Sequence, residues 1–246
     1  NVCKHINISN SGITCSDIMK ICEGLSNSNN NILKEFISKE NKIQSSGMIS
    51  LSNMMSRVWT TEIDPLCKEK GTYNQCICNI NMLNLGWNDI SEIGAIALSK
   101  AMKINTNLKN IDISANGVSD KAAQVIASSL EVATSSIEFI NLSQNRVSSP
   151  ACFVFARILP LHKTMKALDL SLNPLGEPGS RSIFRKILNG LKCFVMMRSC
   201  TSLSSLMPSL LYYITLRCIM LCCNVLLYCV VLAESTELAC LIFAIY

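Results

Sequence analysis

Asp112, Asp169, Arg146, His5, His162 and 14 cysteines are the side chains of this 246-residue chain best equipped for chemistry. The two aspartates hold the same place in two copies of a recurring pattern, and Asn141 holds that place in the copy between them. Two carboxyls sharing a site would suit general acid–base work. Neighbouring strands lie roughly 5 Å apart, so these two carboxyls stand roughly 10 Å apart, too far to share a proton. They read as a solvated polar stripe. Six cysteines precede residue 79, seven follow residue 192, and only Cys152 lies between. Cys76 and Cys78 lack a second pair at metal-ligand spacing, and His5 and His162 stand alone. There is no G-x-x-x-x-G-K-[ST] phosphate loop, no G-x-S-x-G and no H-E-x-x-H. The expectation is a protein that is not an enzyme, with no catalytic residue, no cofactor and no metal.

The elements that carry these groups repeat. Ile80–Ile90, Leu108–Val118, Ile137–Val147 and Met165–Leu175 all fit L-x-x-L-x-L-x-x-N-x-L, with any aliphatic residue or Met at L. Their starts fall 28, 29 and 28 residues apart. The fourth and sixth positions alternate with polar ones, which is the period of a strand with one buried face. Leu83 and Leu85, Ile111 and Ile113, Ile140 and Leu142, and Leu168 and Leu170 should point inward. Asn88, Asn116, Asn145 and Asn173 close each strand at a turn. An amide carries donors and an acceptor, so a stack of them can satisfy buried backbone groups as a structural ladder. Helical spacing follows each turn, with Ser91, Ser119 and Ser148 where an N-cap belongs. Small residues at 94, 122, 151 and 179 should let each helix approach its strand.

A strand, turn and helix repeated every 28–29 residues identify leucine-rich repeats, and the unit resembles the ribonuclease-inhibitor-like subclass. The resemblance covers about 79–200, roughly half the chain. It implies an α/β solenoid, a horseshoe with parallel strands on its concave face and helices on its convex face. The segment from Ser171 to Met197 is also similar to large protist repeat proteins.

The array extends in weaker form. Leu191–Cys200 reads as a last, capping strand, with Leu191, Phe194 and Met196 at the first, fourth and sixth positions and Ser199 in place of the turn Asn. Upstream, Cys3–Ile13 and Leu33–Ile43 read as degenerate repeats, the first with Ser11 at the turn and the second with Ser38 at a core position. Leu33 to Ile80 is 47 residues, so an insertion near Thr60–Gln75 should loop out. The organisation is then 1–78, degenerate repeats with an insertion loop; 79–200, the clear array with its capping strand; and 201–246, an apolar tail. The first residue is Asn, and a fragment is expected.

Residues 218–233 carry no charge, and 212–233 have the length of a membrane-spanning helix with Arg217 placed to snorkel. A membrane anchor, a non-native stretch and a helical cap all fit this tail, and the residues do not choose. The first 30 residues lack a basic region followed by an apolar run. The cysteines therefore read as reduced thiols, and the location as cytoplasmic, with membrane anchoring through 212–233 left open. The net charge of +5 is spread without a basic stripe and aromatics make up 6% of residues, so nucleic acid is not an expected partner.

What remains is the outward side of the strands. The third position reads Met82, Asn110, Phe139, Ala167; the fifth reads Asn84, Asp112, Asn141, Asp169. The seventh, Gly86, Ser114, Ser143, Ser171, should also face outward, and Trp87 follows at a strand exit. Apolar anchors among small polar residues resemble an interface, and fold analogy puts it on the concave face. The reading is a non-enzymatic protein-interaction scaffold for a basic or polar partner, touched by Met82, Asn84, Trp87, Asn110, Asp112, Phe139, Asn141 and Asp169. An alternative is a membrane-tethered adaptor. A second resembles the Ran GTPase activators, which use this repeat type; Arg146 is the arginine on a strand-exit turn that would stabilise phosphoryl-transfer charge.

Overall fold

A computed structural model describes residues 3–27, 32–56, 78–132, 135–188 and 193–197. Strands and helices alternate without exception. In order they are β1 His5–Asn7, α1 Cys15–Asn27, β2 Glu35–Ile37, α2 Gln44–Met55, β3 Met82–Asn84, α3 Ser91–Ile104, β4 Asn110–Asp112, α4 Asp120–Ser129, β5 Phe139–Asn141, α5 Ser149–Ile158, β6 Ala167–Asp169, α6 Gly176–Leu188 and β7 Phe194–Met196, with a 3₁₀ turn at Leu159–Leu161. All seven strands form one parallel sheet in chain order. This is the α/β architecture of a leucine-rich repeat solenoid, with strands on one side and helices on the other.

The register explains the repeat. Phe36, Leu83, Ile111, Ile140 and Leu168 pair in a single column, and all are buried. Leu85, Ile113, Leu142 and Leu170 are buried beside them. Leu98, Met102, Ile126, Phe155 and Ile183 meet that column from the helix side. Each such side chain stabilises by roughly 1.5–3 kcal/mol on leaving water. Both degenerate repeats belong to the same sheet: His5–Asn7 pairs with Glu35–Ile37, which pairs with Met82–Asn84. Ser38 is fully buried, and its hydroxyl accepts from Asn41 Nδ2 at 3.0 Å. The inserted residues near Thr60–Gln75 lie outside the described residues, as does the tail from 201, including 212–233. Among the described residues no helix is long and apolar enough to cross a membrane.

The turn asparagines form the expected ladder. Asn116 Oδ1 accepts from the N–H groups of Asn88 (3.0 Å) and Ile90 (3.1 Å), and its Nδ2 donates to the carbonyls of Leu85 (2.8 Å) and Ser114 (2.9 Å). Asn145 accepts from Asn116 and Val118, and Asn173 from Asn145 and Val147. Asn41 serves the first repeat in the same way, accepting from Ser11 and Ile13. One rung is incomplete. Asn88 Nδ2 donates to three carbonyls, but its oxygen is buried with no hydrogen-bond partner among the described residues.

Three expectations are corrected. The small residues do not serve contact between a helix and its own strand. A Cβ on Gly179 would stand 2.9 Å from Ser149 Cα and 3.1 Å from Cys152 Cβ, both in α5. A Cβ on Gly94 would meet Ile90 at 2.4 Å and Met48 of α2 at 3.0 Å. The close approach is mainly between successive helices. Of the three serines, Ser119 alone caps with its side chain, accepting from Ala122 N–H at 3.4 Å. The Ser148 hydroxyl donates to Asp120 of the preceding repeat, and Ser91 is the first residue of α3 with its hydroxyl 2.6 Å from that of Ser45. Partners in the neighbouring repeat displace local capping. The last strand is out by one residue. Val195, not Phe194, pairs with Leu168, and Cys193, Val195 and Met197 are the buried set. A one-residue shift exchanges the two faces of a strand. Leu191 and Ser199 lie outside the described residues.

The turns from helix back to strand have their own fasteners, which the repeat pattern does not announce. Asn105 Oδ1 accepts from Leu108 N–H at 3.0 Å, while its Nδ2 reaches the carbonyls of Met55 and Cys78, each at 3.3 Å. His162 does the equivalent work before β6: Nδ1 accepts from Met165 N–H at 3.1 Å, and Nε2 lies 3.1 Å from Ser135 Oγ. Burial holds the His162 imidazole below its usual value of 6.5, so folding favours the neutral ring. Its contribution is full above pH 6.5 and is lost as pH falls through the lowered value. Stability measured by urea melts should therefore fall on acidification below pH 6.5 more steeply in the wild type than in His162→Asn. Equal slopes would remove His162 from this role.

Candidate functional site: the outward face of the strands

The sheet brings the eight candidate residues together. The register places Met82, Asn110, Phe139 and Ala167 side by side, and Asn84, Asp112, Asn141 and Asp169 in a parallel row. All eight are half-buried, as alternation with the buried column requires. Phe194 and Met196 extend these two rows, next to Ala167 and Asp169. Reading the last strand one residue off hid them. The one available signal was the rival alternation Cys193, Val195, Met197, which periodicity alone cannot rank above the other.

The fifth-position side chains also work for the fold. In each case the side-chain oxygen accepts from the N–H two residues on: Asn84 from Gly86 (3.2 Å), Asp112 from Ser114 (2.9 Å), Asn141 from Ser143 (2.9 Å) and Asp169 from Ser171 (2.8 Å). Asn and Asp are thus interchangeable for this turn, and one carboxylate oxygen of each aspartate remains beyond it. The seventh position does not face outward freely. Gly86, Ser114, Ser143 and Ser171 are buried at the strand exits. A Cβ on Gly86 would come within 2.9 Å of Ser114 Oγ, so this residue must be small.

The exit edge is lined instead by the eighth position, where the backbone is left-handed in every clear repeat: Trp87 (φ 60°), Ala115 (51°), Gln144 (56°) and Leu172 (57°). Non-glycine residues rarely adopt this region, and a Trp there is an outlier. The strain comes with exposure: Trp87 and Leu172 are each 50% exposed. Trp87 does not pack away under the next turn. Arg146 is exposed on the turn after β5, with its N–H donating to Val118 at 3.0 Å. At the opposite edge of the sheet Glu138 bridges Lys166 and Lys109, the latter at 3.3 Å. Hydrogen bonds from Lys166 and then Lys109 hold the Glu138 carboxyl below its usual range.

The described cysteines supply no nucleophile. Burial pushes the Cys22 and Cys193 thiols up to about 12, which keeps both protonated among apolar neighbours. Among the described residues no group of His, Cys, Asp and Glu could hold a metal ion.

Comparison with known proteins agrees with this architecture. The family pattern described as "Leucine Rich repeat" matches residues 77–99, 105–127 and 162–184. The chain is 26% identical over 102 residues to the mouse (Mus musculus) NACHT, LRR and PYD domains-containing protein 12, across 42% of this chain and 10% of that protein. It is 28% identical over 122 residues to NACHT, LRR and PYD domains-containing protein 1a allele 1 of Rattus norvegicus, across 50% of this chain and 10% of that protein. It is 26% identical over 172 residues to FERM domain-containing protein C of Dictyostelium discoideum, across 70% of this chain and 11% of that protein. The chain thus spans about a tenth of the length of these relatives. Repeat spacing, one parallel sheet in chain order and the family match converge: the chain is a leucine-rich repeat protein.

Proposed function

We propose that this chain is a non-enzymatic scaffold, of the ribonuclease-inhibitor-like subclass, that binds a protein partner on the outward face of its strands. The observation that carries the reading is a rigid row of half-buried and exposed side chains, Met82, Phe139, Asp112, Asp169 and Trp87, whose backbone is fixed by the asparagine ladder beneath it. Preorganisation of this kind lowers the cost of binding. Phe139 and Trp87 are the aromatic anchors, and the two aspartates favour a basic or polar partner. The site of action is the cytoplasm, as the thiol-rich composition suggests. The NACHT- and FERM-named relatives carry comparable arrays as a small fraction of long chains, which suits an interaction module.

The test is a pull-down from native lysate read by mass spectrometry. Wild type is compared with Phe139→Ala combined with Asp169→Asn. The second change removes charge and keeps the acceptor for Ser171 N–H, as Asn141 does for Ser143. A partner held by the wild type should fall about tenfold in recovery with the variant, since anchor residues commonly carry more than 1–2 kcal/mol. A partner retained equally by both would remove the strand face from the site.

A further inference from the structure

The helix side of the solenoid closes its seams with ion pairs, until the last one. Lys121 of α4 pairs with Glu92 of α3 at 3.3 Å, and Arg157 of α5 pairs with Glu131, just beyond α4, at 2.9 Å. Between α5 and α6 that pattern stops. Helix α5 presents Phe153, which is 50% exposed, where a carboxylate would be needed. Helix α6 presents Arg181, Arg185 and Lys186. Glu177, the one acidic residue lining the cleft, is held by Arg181 within its own helix. The seam opens into a cleft of about 650 Å³, with Phe153 and Pro178 as its apolar lining and three cations against one carboxylate.

We propose that this cleft binds an acidic protein segment. Carboxylates of the segment meet Arg185 and Lys186, and an apolar side chain next to them covers Phe153 and Pro178. Charge complementarity selects the sign of the ligand. The aromatic ring and the proline select a peptide over a bare phosphate. Pro178, in the first turn of α6, removes one of the N–H donors on which phosphate sites at helix starts depend. The cleft lies on the helix side, away from the strand face, so this site stands independently of the function proposed above.

Fluorescence anisotropy on the full chain tests it, with a short labelled peptide of Glu and Leu as probe and its Gln/Leu counterpart as the neutral control. The wild type should bind the Glu/Leu peptide and not the control, and more weakly as salt rises. Arg185→Gln with Lys186→Gln should weaken binding about tenfold, and Phe153→Ser by a similar factor. Met19→Ser, at an exposed apolar residue of α1, and Phe139→Ala, on the strand face, should leave it unchanged. Circular dichroism of each variant separates loss of binding from loss of fold. Equal binding of both peptides, indifference to the Arg185 and Lys186 changes, or displacement of the peptide by tripolyphosphate would each overturn the proposal.

Discussion

Ile140→Asp unfolds the array. Ile140 is fully buried at the centre of the sheet, paired in register with Ile111 and Leu168. The substitution removes about 2 kcal/mol of apolar burial. It also places a carboxyl where nothing polar can meet it, at a further cost of several kcal/mol even if the group takes up a proton. Together these approach the total stability of an ordinary domain, about 5–15 kcal/mol. Far-ultraviolet circular dichroism should show loss of the cooperative melt at neutral pH, with partial recovery in acid as the carboxyl protonates. Ile140→Val should cost only about 1 kcal/mol. An Asp variant that melts like wild type would refute the register of the whole sheet.

The second large effect separates two rungs of the same ladder. Asn116→Ala removes four hydrogen bonds and leaves the N–H groups of Asn88 and Ile90 buried without partners. At about 1–3 kcal/mol for each stranded donor, the expected loss is about 4 kcal/mol. Asn88→Ala strands no donor, because the Asn88 oxygen accepts nothing among the described residues. It gives up three bonds to carbonyls, which tolerate under-use better than N–H groups do, and the expected loss is about 2 kcal/mol. Urea midpoints of the two variants, compared at equal slope, decide the matter. Equal losses would mean that the ladder continues unbroken through Asn88.

The residues that repeat were legible in the sequence, and those that answer to a neighbour were not. Leu83, Ile111, Ile140 and Leu168 recur at fixed spacing because each fills the same layer of the core, and Asn116, Asn145 and Asn173 recur because each meets the same unpaired backbone groups. Even Ser38, polar at a core position, sits where the period puts it. The last strand was misread because Phe194 and Val195 are equally fit for burial and only pairing with Leu168 decides between them. Gly94 and Gly179 were assigned to the wrong contact because spacing shows that a position must be small, not what presses against it. At the site, the rows of Met82, Phe139, Asp112 and Asp169 were visible. The turn-forming work of the two aspartates was not, since it takes the geometry of Ser114 and Ser171 to see it. Asn105 and His162 share a task but not a residue type, so no pattern search would have joined them.

Asn105 has a consequence for how such a chain can change. Its amide nitrogen lies 3.3 Å from both the Met55 and the Cys78 carbonyls, so the two ends of the long excursion between α2 and β3 meet at one atom. From Met55 to Ile80 is 25 residues, whereas Ile104 to Leu108 is 4. Closure entropy grows only with the logarithm of length, so the longer path costs about 1.5 kcal/mol more. That is less than the loss expected for either ladder substitution above. The sheet steps from Phe36 to Leu83 in register as if nothing intervened. This junction is an outlet at which the gene can gain or shed coding sequence while the solenoid on either side keeps its pitch.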